Sequence, residues 1–194
     1  MEIARAQRDV RDVYARGSYG QFVSGVIWLL AAGTSVLASN TAGMVVLLAG
    51  GTLIFPATTL LLKAAGGPAA LPKGHPMAAL AMQIAFTVPL GLLVAVAAAG
   101  DRPEWFFPAS MIIVGAHYLP FTFLYGMPVF AVLGGVLTLG GTALALWLPN
   151  SFATGGWMTG VLLLVFATIL GISHRRRAAR PDRDVGDQGG ALSP

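Results

Sequence analysis

The chain has 194 residues, of which 56% are hydrophobic and only 10% are Asp, Glu, Lys or Arg, against about 25% charged in a soluble domain. With a mean hydropathy of +0.74 it carries too little polar surface to cover a soluble fold of this length. Cysteine is absent, which excludes disulfides, thiolate metal sites and cysteine nucleophiles.

The N-terminal 17 residues mix charge with apolar positions at helical spacing. Ile3, Ala6, Val10, Val13 and Tyr14 fall on one side, and Arg5 with Asp9, Arg8 with Asp12 and Asp12 with Arg16 stand four residues apart on the others. This predicts an amphipathic arm braced by its own ion pairs. The arm holds three acids and is followed by an apolar run of full spanning length, so a cleaved signal peptide is not expected.

A helix crosses a hydrocarbon core of about 30 Å with roughly 20 apolar residues. Six segments qualify, near 18–38, 41–62, 76–99, 107–125, 127–148 and 153–173. Runs such as Leu92 to Ala99 lack the alternation of a membrane barrel strand. Two breaks are short: Ser39, Asn40 and Thr41 between the first and second spans, and Gly126, Met127 and Pro128 between the fourth and fifth. Merging the fourth and fifth spans gives a five-span reading, but a segment that long far exceeds one crossing. The expected fold is therefore all-α, a polytopic bundle of six transmembrane helices over residues 18–173. An arm (1–17) precedes it and a Gly-, Asp-, Arg- and Pro-rich disordered tail (174–194) follows.

The placement of charge orients the bundle. With both termini in the cytoplasm, eleven of the twelve bases lie in cytoplasmic segments and only Arg102 lies outside, as the positive-inside rule requires. Trp105, Trp147 and Trp157 then fall at the periplasmic ends, and Tyr19 and Tyr125 at the cytoplasmic ends. The expected location is the bacterial inner membrane, with the lipid bilayer as partner and no nucleic acid. Arg175, Arg176 and Arg177 read as a stop at the lipid surface. The cytoplasmic loop Lys63 to His75 reads as a turn-rich connector, with headgroup binding through its lysines and His75 as the alternative. The sequence leaves the oligomeric state open. Gly156 and Gly160 form a Gly-x-x-x-Gly, and packing within one chain is preferred over a dimer seam.

None of the eight acids falls within a span, so carboxylate relays and carboxylate-bound metals inside the bundle are excluded. No nucleophile elbow, zinc-protease motif or phosphate loop occurs. No cofactor and no metal site are expected, and a membrane enzyme ranks last among the functions considered. One ionisable side chain remains at mid-span: His117, in the fourth. Pro120 cannot donate to the Ala116 carbonyl; Pro56 likewise frees that of Thr52 in the second span, and Pro89 that of Ala85 in the third. These prolines are expected to kink their helices. Gln83 and Thr87 share a face of the third span, and Thr58 and Thr59 lie past the proline of the second. With His117 and Tyr125, these residues form a candidate ligand site, for a cation or a small polar solute. Mutual satisfaction of polar groups across helix seams is the plainer alternative.

The string Gly115-Ala116-His117-Tyr118-Leu119-Pro120, with Tyr125 following, resembles a family of uncharacterised multipass bacterial membrane proteins defined as a domain of unknown function. Trp28-Leu29, Phe55-Pro56 before Lys63, and Lys73-Gly74-His75-Pro76 add to the likeness, with Asn the residue that pattern would place at His75. The resemblance covers about residues 10 to 148. It implies a membrane fold without an activity, and it directs attention to His117, Pro120 and Tyr125. A small-solute or ion permease or channel-like protein leads the functional readings, followed by a non-catalytic membrane partner or assembly factor, then a lipid-modifying enzyme.

Overall fold

The computed structural model describes residues 2–147 and 151–178. Seven α-helices follow one another: α1 (Ile3–Val13), α2 (Ser18–Leu37), α3 (Asn40–Ala64), α4 (Ala78–Ala98), α5 (Phe106–Tyr125), α6 (Val129–Leu146) and α7 (Thr154–Ala178). Short 3₁₀ turns at Ala15–Gly17 and Pro103–Trp105 lead into α2 and α5. No strand occurs among the described residues. Helices α2 to α7 are the six expected spans, each long and apolar enough to cross a bilayer. The tail beyond Ala178 lies outside the described residues, as do the fifth span's last predicted residue and the loop to Asn150.

The helix ends follow from local chemistry. The side chain of Ser39, extended at φ −165°, accepts from the Ala42 amide at 3.1 Å and starts α3 one residue after the α2 hairpin turns. Gly126 closes α5 in the left-handed conformation at φ +61°, and Pro128 caps α6 immediately afterwards. Pro56, Pro89 and Pro120 remain inside α3, α4 and α5, so their turns each lack one backbone donor.

Two helix seams form the centre, α2 against α7 and α5 against α6. Both rest on glycines through which backbones meet. A Cβ on Gly160 would stand 3.1 Å from the Gly25 carbonyl, and one on Gly25 equally close to that of Gly160. On the other seam a Cβ on Gly115 would stand 2.8 Å from the Gly134 carbonyl. The Gly-x-x-x-Gly of α7 thus packs within the chain, Gly156 against Phe107 and Ala32. Trp28, Phe106, Phe107, Met111, Leu133 and Leu163 fill the space between the seams. Helix α3 leans on α2, and α4 on α5; α3 and α4 touch each other only slightly and are the least buried spans.

Helix α1 buries Ala6 and Val10 against the end of the bundle. The helical spacing is as expected, but the ion pairs within the arm do not form. Among the described residues the only carboxylate pairing is between Asp9 and His75 Nε2, at 3.4 Å. The loop before α4 instead brings the buried His75 to Asp9. Arg16 cannot pair along a helix with Asp12, since α1 has already ended and Arg16 is left-handed at φ +59°.

Candidate functional site

Thr87 and His117 sit at the same height on neighbouring helices, and the hairpin of α4 and α5 brings them together: His117 Nδ1 is 3.1 Å from Thr87 Oγ1. The hydroxyl of Thr87 donates to the Ile84 carbonyl at 2.7 Å. Having only one proton to give, it accepts from His117, so Nδ1 carries the ring hydrogen and Nε2 presents a lone pair. The Ile84 carbonyl also lies within reach of the His117 ring. The carbonyl of Ala116, one residue earlier, has no donor at position 120 because that residue is proline. The seam therefore offers acceptors, a chemistry suited to a cation or to a solute bearing N–H or O–H groups.

Behind the imidazole lies a ladder of aromatic rings. Phe121 stands 4.8 Å from His117 between ring centroids, Tyr125 5.4 Å from Phe121, and Phe130 4.9 Å from Tyr125. Their spacing along α5 places them on one face, with Tyr118 stacked on Phe130. The ladder runs from the middle of the bundle to the end covered by α1.

The remaining candidates are spread out. Thr58 lies on the seam between α2 and α3, beside Gly20, with its hydroxyl buried and unpartnered. Thr59 bonds back to the Phe55 carbonyl of its own helix. Gln83 is exposed on α4. Tyr125 is buried at the end of α5 against Phe130 and next to Gly17. Only Thr87 and His117 of the predicted set are in contact.

Several polar residues outside that set stand at informative places. Gln21 of α2 is 2% exposed, and neither amide atom has a partner. It shares a helix face with Gly17, which meets Tyr125, and with Trp28, which meets Phe107. A lone amide in an apolar run is its only sequence signal. At the same end of the bundle α1 caps α5: Gln7 Nε2 donates to the Phe123 carbonyl at 2.6 Å, and Arg11 donates to the Tyr125 carbonyl. Burial, with Arg177 and Arg8 nearby, pushes the Arg11 guanidinium below its usual pKa, while Asp12 opposes the shift. Burial raises the Tyr14 hydroxyl, although the backbone of Leu71 offsets part of this. Among the described residues no three His, Asp or Glu side chains gather as a metal site.

Six apolar helices with a polar pair at mid-span define the class, a multispan membrane protein. The sequence matches the family of unknown function DUF7010 over residues 3–173, and the chain belongs to that family. The match reaches beyond the stretch that carries the sequence resemblance and takes in the arm from residue 3 and α7 up to residue 173. No curated protein and no solved structure matches the chain.

Proposed function

We propose that the protein is a small-solute or ion permease, or a channel-like protein, of the bacterial inner membrane, with both termini in the cytoplasm. The observation that supports this most directly is the polar pair at mid-span, Thr87 Oγ1 with His117 Nδ1, on a helix that Pro120 leaves short of one backbone donor. Unsatisfied acceptors at membrane depth are costly and mark solute pathways. The small contact between α3 and α4 adds a place where the bundle can part without breaking its two glycine seams. The orientation rests on the distribution of bases.

Purified protein in liposomes should pass K⁺, Na⁺ or methylammonium above the rate of empty vesicles, and His117→Ala should reduce that flux. Flux unchanged by His117→Ala removes the histidine from the pathway, and absence of flux for all three probes counts against transport of small cations.

A non-catalytic membrane partner is the second reading, and the exposed Gln83 on α4 favours it. An amide facing lipid gains from a partner helix that can bond to it. Cross-linking from position 83 that recovers one stoichiometric protein, without flux, would select this reading.

A further inference from the structure

At the end of the bundle that carries the arm, arginines from three separate elements converge. Arg11 reaches the last carbonyl of α5, and the turn Ala15–Gly17 packs against the end of α7, where Gly171 meets Ser18. This brings Arg11, Arg16 and Arg177 within electrostatic range of one another. None of the three forms an ion pair with a carboxylate among the described residues.

Three features of Arg16 set it apart from an ordinary residue at a span's edge. Its backbone is left-handed, at φ +59°, as is that of Ala15 at φ +46°. Neither residue is glycine, so the turn holds strain, and strain of this kind accumulates where a site fixes a side chain. The Nε of Arg16 is buried and has no partner. It also lies at the start of the candidate span that contains α2, from which a long side chain reaches toward the headgroup layer.

Among the described residues the charges do not cancel. Of the described acids Asp12 is the one that acts on Arg11 and Arg16, and the C-terminal ends of α5 and α7 each contribute about half a negative charge. Three guanidinium groups exceed that total, and among the described residues Arg5, Arg8, Arg175 and Arg176 outnumber Glu2 and Asp9, the other acids of the arm. Arginines that converge with unused N–H groups match the oxygens of a phosphate.

We propose that Arg11, Arg16 and Arg177 form a binding site for a phosphate oxyanion at the membrane surface. Its two sources are the headgroup of an anionic phospholipid and free phosphate. The site lies apart from the His117 seam, so each can fail without the other.

The test uses the full chain in detergent. Its thermal unfolding midpoint and its bound mass are followed while phosphatidylglycerol, phosphatidylcholine or inorganic phosphate is added. Saturable stabilisation by phosphatidylglycerol alone identifies a lipid headgroup; stabilisation by inorganic phosphate, with or without the lipid, identifies an oxyanion site open to water. Arg16→Gln and Arg177→Gln should each weaken the effect about fivefold, the contribution of one base near an anionic surface. Arg177 is exposed, so its variant tests the site even if Arg16→Gln does not fold. Arg102→Gln, at the opposite end, should change nothing. Equal stabilisation by phosphatidylcholine, no saturable effect from any probe, or an equal loss in Arg102→Gln would overturn the proposal.

Discussion

His117 and Thr87 meet because each stands eleven residues from the turn that joins their helices, one before the end of α4 and the other after the start of α5. An antiparallel hairpin levels such positions across its seam. A double-mutant cycle between Thr87→Val and His117→Ala, read from unfolding in bicelles, should give a coupling of about 0.6 kcal/mol. Additive losses would show that the two side chains do not bond in a bilayer.

The seam of α5 and α6 should tolerate no side chain at Gly115. Its Cβ would meet the Gly134 carbonyl and the backbone of Thr138, both at 2.8 Å, and backbone cannot swing aside as a side-chain tip does. Gly115→Ala is expected to cost about 1–3 kcal/mol, seen as a lowered unfolding midpoint. Gly135, with nothing within 4 Å of its Cβ position, is the control: Gly135→Ala should be neutral or slightly stabilising through helix propensity.

The spans are legible in the amino-acid order because each is a long apolar run ended by Gly, Pro, Ser or a basic residue, and Thr87 and His117 are legible as polar exceptions within such runs. Which residues face one another is not. Thr58 belongs with them by depth, but the glycines that draw α3 onto α2 place it beside Gly20, and a single helix does not announce its neighbours. The arm misleads in another way. Its charges are spaced to pair with one another, yet Asp9 meets His75 from a loop over sixty residues away. Contacts of that range leave no periodic trace.

Capping of α5 by the arm predicts a local effect. Arg11 places a positive charge on the negative end of the helix, an arrangement that contributes about 0.3–1 kcal/mol. Arg11→Ala should raise amide hydrogen exchange in the peptide covering residues 3–13 and leave α6 unchanged. Asp9→Asn, which weakens the contact to His75, should act in the same direction.

The absence of cysteine makes the orientation simple to test. Ala70→Cys and Asp101→Cys place single thiols at exposed positions at opposite ends of the bundle. In intact spheroplasts an impermeant maleimide should label Cys at 101 and spare Cys at 70, with the pattern reversed in inverted vesicles. Labelling of 70 in intact spheroplasts would reverse the orientation.

Gln7 and Arg11 bind carbonyls 116 and 114 residues further along the chain. The arm leaves the ribosome well before α5, and its binding surface does not exist until α5 has entered the membrane. During synthesis it must remain undocked while four spans insert, its apolar side resting on lipid or on a chaperone. Chains halted before Phe123 should therefore keep the arm open to protease, and its protection in longer chains would mark the moment at which α5 is complete.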